Sequence, residues 1–194
     1  MSESSGVLTA AVVAHPLFFK SESEGKVPAS ARQLNITEIP MREACRLNKL
    51  WHSMLPRTDL GNMLCGNMSV AYVAEYDGKY YATAIWSQPI IRSLCDGKTI
   101  ELRRLAICDE SPKFTASRML SVMRKVVRKK MPHLRKAVSY LAVDVHDGTT
   151  YKASGWSAVG KVVDARPQRP SGSPQRATGP LQTTSRKQRW EIDL

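Results

Sequence analysis

Residues 137–156 read AVSYLAVDVHDGTTYKASGW, and the fold turns on this stretch. Its first half, Ala137 to Val145, is nearly continuous in apolar side chains, the pattern of a central strand covered on both faces. Asp147-Gly148 then marks a turn, a short helix is predicted from about Thr149 to Ser154, and a further strand from Trp156 to Val163. Asp144 and His146 are two positions apart, so in an extended chain their side chains point to one side. With Tyr151 they stand at the carboxyl end of the strand, where open sheets gather their ligands. These residue types can orient a metal, a base or a leaving group. Plain turn chemistry around Asp147-Gly148 accounts for the same residues equally well.

Upstream, Ser117 to Met131 carries Met119, Leu120, Met123, Val126, Val127 and Met131 as one apolar stripe, with Arg118, Arg124, Lys125, Arg128 and Lys129 on the other face, and Pro132 stops this helix. Thr99 to Cys108 reads as a strand introduced by Asp96-Gly97. Ser69–Tyr76 and Lys79–Ser87 flank Asp77-Gly78, a strong hairpin signal. Leu34 to Ile39 is a short strand, and Pro40 opens a helix to about Met54, with Ala44, Leu47, Leu50, Trp51 and Met54 on one face. Downstream, a loop rich in Arg, Pro, Gly and Ser precedes a last strand, Arg189 to Leu194. Hairpins first and a strand–helix–strand crossover later imply one α/β (α+β) domain, a mixed sheet with helices packed on it.

The whole chain has 194 residues, 29 Lys and Arg against 17 Asp and Glu, a net charge of +12 and 42% hydrophobic residues. That composition is globular and excludes a wholly disordered basic tail. We expect an N-terminal arm and linker over residues 1–32, and a domain over 33–194 with a basic flexible loop at about 165–187. No apolar run reaches membrane-spanning length: the best, Val7 to Phe19, is broken by His15 and Pro16 and follows acidic Glu3. The expectation is a soluble, unexported, cytoplasmic protein without a membrane partner. Cys45, Cys65, Cys95 and Cys108 form no CxxC and no Cys/His cluster, so they read as reduced cysteines rather than a disulfide or zinc framework.

The charge is unevenly placed. Between Pro112 and Lys136 stand Lys113, Arg118, Arg124, Lys125, Arg128, Lys129, Lys130, Arg135 and Lys136, and no acid. An ordinary solvated helix face would mix signs, so the run tilts towards a polyanion. The late loop adds Arg166, Arg169, Arg176, Arg186, Lys187 and Arg189, suited to a nucleic-acid backbone. At the head of the run, Lys113, Thr115, Ser117 and Arg118 surround a helix N-terminus, which offers free amides to a phosphate; Thr115 or Ser117 as a simple N-cap is the alternative. Arg103 and Arg104 are adjacent in a strand and so are expected on opposite faces, with Glu101 as partner for one. His52, after Trp51, reads from position alone as structural.

Three segments, ELRRLAI (101–107), SPKFTASRML (111–120) and SYLAVDVHDGTTYKASGW (139–156), together resemble the GNAT acyltransferases, and within them the phage Mom proteins, which modify adenine in DNA. The resemblance runs over roughly Gln33 to Val163. It implies a mixed, mostly antiparallel sheet of about seven strands with helices on both faces, whose central parallel strands splay to admit a coenzyme A-type ligand. It implies conversion of adenine N6 to a carbamoylmethyl (acetamido) derivative, which protects phage DNA from host restriction enzymes. The catalytic residues would be Asp144, Tyr151 and Arg104, with Ser117 at the cofactor helix and His52 as ligand of an associated iron. The partners would be double-stranded DNA and acetyl-CoA or a related acyl donor; the oligomeric state stays open, a dimer among the options. Ile107 to Ser117 lacks the glycines of the usual R/Q-x-x-G-x-G/A pyrophosphate loop, and Ser53 stands where a tyrosine is expected after His52. Two other functions compete: an N-acetyltransferase for a protein or small-molecule amine, and a non-catalytic DNA-binding protein on the same fold.

Overall fold

In a computed structural model, residues 27–52, 68–164 and 185–194 are described. Asp77 (φ 50°) and Gly78 (φ 76°) both take positive φ, as the tightest hairpin turns require, and join β2 (Val70–Tyr76) to β3 (Lys79–Ser87). Around this hairpin the sheet grows to seven strands in the order β1-β2-β3-β4-β5-β7-β6. The added strands are β1 (Asn35–Ile39), β4 (Thr99–Ile107), β5 (Lys136–Ala142), β6 (Ser157–Val163) and β7 (Lys187–Asp193). Every neighbouring pair is antiparallel except β4 and β5.

Helices cover both faces. α2 (Thr115–Lys130) buries Met119, Leu120, Met123 and Val127 against Tyr72, Ala84, Trp86, Ile100 and Leu102. Trp86 is fully buried there, its indole N–H directed at Met123 Sδ at 3.3 Å. On the opposite face α1 (Met41–Trp51) packs Ala44 and Cys45 on Ala71 and Ile85. The short α3 (Thr149–Ala153) sets Tyr151 flat on Trp190, with ring centroids 5.3 Å apart, and edge-on to Trp156. Such aromatic pairs add to the stabilisation from buried area alone.

The parallel pair is short. β4 and β5 are bonded only from Thr99–Leu102 to Lys136–Ser139. Beyond these residues β4 continues with β3 to Ile107, and β5 with β7 to Ala142. The two central strands therefore part after Leu102 and Ser139, leaving an opening in the hydrogen-bonded ladder between β4 and β5.

Several local expectations are corrected. β5 ends at Ala142, and the amides of Val145 and His146 both donate to the Ala142 carbonyl; the chain turns there, so Asp144 and His146 are not in extended chain. Leu50 is 63% exposed and does not belong to the buried face of α1, which carries Ala44, Cys45, Leu47 and Asn48. The last strand begins at Lys187 rather than Arg189. Ser30 and Gln33, in the polar N-terminal stretch, form a reciprocal capping box around a 3-10 turn whose Ala31 is buried in the core. Cys45, Cys95 and Cys108 are in no disulfide among the described residues; Cys65 lies outside them. Among the described residues no helix is long and apolar enough to cross a membrane.

Gly148 caps α3 at φ 79°, and a Cβ built on it would stand 2.3 Å from the Trp190 ring. Gly148→Ala therefore combines left-handed strain with overpacking against the ring that supports Tyr151. A loss of roughly 2–4 kcal/mol is expected in denaturant melts; a loss under about 0.5 kcal/mol would contradict this packing.

Candidate active site

The register of β4 decides where its charges point. Ile85 pairs with Arg104 and Trp86 with Leu102, so Arg103 is an extra residue in a β-bulge. Paired residues share a face. Arg104 thus shares the α1 face with Ile85, and Glu101 shares it with its partner Ser87. Arg103 turns to the same side: its Nε is 3.5 Å from Glu101 Oε1, and its Nη1 donates to Ser87 Oγ at 3.1 Å. The expectation that the two arginines face opposite sides fails because the bulge breaks the alternation. Glu101 does serve as the partner of one of them.

Glu101 is buried and also accepts from the Ile90 amide at 2.9 Å. Burial raises its pKa, against the lowering influence of that bond and of Arg103, Arg104 and Lys187. Arg104 is treated differently. Its Nη1 donates to the Arg103 carbonyl at 2.7 Å, while its Nε is buried without an acceptor. Burial, then the neighbouring Arg103, depress its pKa. Across the opening, Lys187 on β7 pairs with Ala142; burial and then the Arg104 charge lower its pKa. Sequence reading placed Lys187 in a flexible DNA-binding loop, whereas it is a half-buried strand residue beside Arg104. Tyr140, which sequence reading did not single out, sits opposite Arg189 on β7; burial raises its pKa and Arg189 lowers it.

Tyr151 stands at the apex of the opening. Its hydroxyl lies 2.7 Å from Ser139 Oγ, which donates to the Leu102 carbonyl; Leu102 and Ser139 are the last bonded pair of β4 and β5. Burial pushes the Tyr151 pKa up to about 12, so the phenol stays protonated at neutral pH. Asp144 is not beside it in any hydrogen bond. Its Oδ1 accepts from Arg186 Nε and Nη2 at 3.0 and 2.8 Å, and its Oδ2 from the Arg186 amide. These bonds hold the exposed Asp144 carboxyl below its usual range.

A second feature opens on the α2 face, a cleft of about 430 Å³ lined by Arg32, Lys113, Phe114, Ser117 and Arg118 among others. Three of the four residues expected to bind a phosphate, Lys113, Ser117 and Arg118, line it. Thr115 is instead buried, its hydroxyl bonded to the Pro112 carbonyl. The cap of α2 is Phe114, at φ 70° and with no side-chain bond to the first amides. Thr115 and Ser117 are therefore not caps, and the glycine-free loop makes its left-handed turn with a phenylalanine that is 81% exposed. Arg32 was missed; its one sequence signal is the Ser-x-x-Gln capping pattern around it.

Of the helix cations, Lys125, Arg128 and Lys129 are exposed three and four positions apart. Lys130 is bound to Glu38, and Arg124 Nε donates to the Asp193 carbonyl at 2.9 Å. Arg166 and Arg169 lie outside the described residues.

His52 caps the C-terminus of α1. Burial, then Arg104 and His146, lower its pKa to about 4. Among the described residues no three of His, Cys, Asp and Glu are grouped to hold a metal, and iron on His52 is not supported. A histidine whose folded pKa lies below the unfolded value of 6.5 contributes stability present above pH 6.5 and lost as pH falls towards 4. NMR titration should place His52 near pH 4, and His52→Gln should flatten the acid limb of the melting curve; titration above pH 6 would contradict the burial.

The chain is similar in fold to GNAT acetyltransferases. One is spermidine N-acetyltransferase from Vibrio cholerae, solved with CoA and spermine: TM-score 0.57, 13% identity, covering 84% of this chain and 96% of that one. A Bacillus subtilis acetyltransferase in complex with CoA gives TM-score 0.57 at 13% identity over 83% and 99%. The ribosomal-protein-S18-alanine N-acetyltransferase from Escherichia coli gives TM-score 0.56 at 10% identity over 82% and 93%. No curated protein matches in sequence. The Mom protein family model, however, matches residues 33–190, a span that takes in the bulged strand, the cleft helix and the parting of β4 from β5: the chain belongs to the Mom protein family.

Proposed function

We propose that this protein is a DNA-modifying transferase of acyltransferase type, which places a carbamoylmethyl group on adenine N6 in double-stranded DNA and so shields phage DNA from host restriction. The observation that carries this reading is the opening between β4 and β5, with a cationic cleft on one face and a cation-rich cluster around Arg104 on the other. Family membership and the fold of CoA-binding acetyltransferases support it.

The cleft suits the phosphates of a coenzyme A-type donor. Its helix start lacks a side-chain cap, and Arg32, Lys113 and Arg118 supply positive charge beside those amides; the Ser117 hydroxyl, which donates to the Phe114 carbonyl at 3.0 Å, lines the same cleft. Bound there, such a donor would supply an acyl carbon with its thiolate as leaving group; the N6–CH2 bond and terminal amide of a carbamoylmethyl group further require a leaving group on the methylene carbon and a nitrogen source. Arg104, with its Nε free, stabilises negative charge developing on the transferred group. Tyr151, protonated at the apex, gives a proton to the departing atom. Adenine N6 is a weak nucleophile inside a base pair, so the base must leave the stack and N6 must lose a proton. Asp144 is the candidate base, and it becomes free to accept that proton when Arg186 releases it. Lys125, Arg128 and Lys129, exposed on α2, offer backbone contacts without sequence reading.

Mass spectrometry of nucleosides from cells expressing the protein tests the reading. A heavier deoxyadenosine is expected with the wild type. It should fall by about 100-fold or more in Tyr151→Phe, which removes one hydroxyl and keeps the stacked ring, and in Arg104→Gln. Unmodified adenine with turnover of acetyl-CoA on small amines would favour the acetyltransferase alternative; salt-dependent DNA binding without product would favour the non-catalytic one.

A further inference from the structure

The charges on the α1 face of the sheet do not balance locally. Glu101 is taken by Arg103 and the Ile90 amide. Glu191 is taken by Lys136 at 2.8 Å and Arg189 at 2.9 Å, and Asp144 by Arg186. Arg104 and Lys187 remain, half-buried and with no carboxylate at ion-pair distance among the described residues. Both border the opening from the same side. Arg104 lies two residues past the last β4–β5 pair, on the face of Ile85; Lys187 pairs with Ala142, on the face that Tyr140 shares. Half-buried cations are normally matched, because removing them from water is costly. Arg104 also leaves its Nε side without an acceptor, an edge that a planar or tetrahedral oxyanion can occupy with two parallel hydrogen bonds.

We propose that Arg104 and Lys187 form a binding site for an oxyanion of the substrate, a carboxylate or a phosphate, across the sheet from the phosphate cleft at the start of α2. The inference rests on the opening between β4 and β5 being the reaction centre. It deepens that reading by giving one of the two substrates a negatively charged group beyond the donor's phosphates. The two cations neutralise and orient that group on the side of the opening away from the cleft. Lys187 is then a binding residue of the reaction rather than a contact to the DNA exterior.

Thermal melts of the full chain in sodium phosphate and in sodium acetate, at ionic strength held constant with sodium chloride, test this without turnover. They are run in a Lys113→Gln/Arg118→Gln background that removes two cations from the cleft. At ten times its dissociation constant an anion that fits the site should raise the melting temperature by roughly 3–6 °C. Arg104→Gln and Lys187→Gln should each abolish the rise, and without added anion Lys187→Gln should melt no lower than its background. A response to phosphate alone assigns the group to a phosphoester, and a response to acetate alone to a carboxylate. No response to either anion, or a rise that survives in Lys187→Gln, overturns the proposal. Because the readout is binding, absence of modified adenine in cells leaves it intact, and its failure leaves the proposed reaction standing.

Discussion

The structure depends on two parallel strands that stay bonded for only four residues each. Backbone groups that leave a ladder must find other partners, and here β4 and β5 turn to outer neighbours, β3 and β7, while their inner edges beyond Leu102 and Ser139 part. The apex is pinned by polar side chains: Ser139 Oγ bonds the Leu102 carbonyl and meets the Tyr151 hydroxyl. Tyr151 in turn is held by Trp190 and Trp156, and Gly148 allows the close approach. The aromatic cluster on the α2 face thereby fixes a polar hydroxyl at the point where β4 and β5 part.

A single inserted residue shapes the other face. With Arg103 in a bulge, Glu101, Arg103 and Arg104 all project towards α1. One carboxylate then holds one guanidinium and leaves the second free. A regular strand would have sent one arginine into the apolar face of Leu102 and Ile100, where an unpaired charge is prohibitively costly. The bulge thus converts an Arg-Arg dipeptide that looks incompatible with an interior strand into a local excess of positive charge beside the opening. The cleft at Phe114 follows a similar logic, since a strained left-handed residue leaves the first amides of α2 without a side-chain cap.

Much of the fold was legible because it rests on local signals. Asp77-Gly78 named the hairpin, the stripe from Met119 to Val127 named α2, and the apolar run from Ala137 named a covered strand. The order of elements carried the mixed sheet, and the cleft residues Lys113, Ser117 and Arg118 followed from helix-terminus physics. What was not legible depends on pairing. Nothing in ELRRLAI announces a bulge, because the extra residue is defined only against β3. Lys187 looks like one more basic loop residue until β7 inserts between β5 and β6. Arg32 reaches the cleft through tertiary packing of the Ser30–Gln33 turn. The charge count behaved likewise: of the acid-free run, Lys130 and Arg124 serve the fold, Lys113 and Arg118 line the cleft, and Lys125, Arg128 and Lys129 remain free for a polyanion.

In the proposed reaction a donor seated at the α2 cleft extends to the parting of β4 and β5. Hydrogen exchange of backbone amides with and without saturating acetyl-CoA tests it most directly. Slowed exchange is expected at two separated places, Thr115–Arg118 at the start of α2 and Tyr140–Ala142 on the inner edge of β5. Slowing confined to the start of α2, or no slowing at either place, would contradict it.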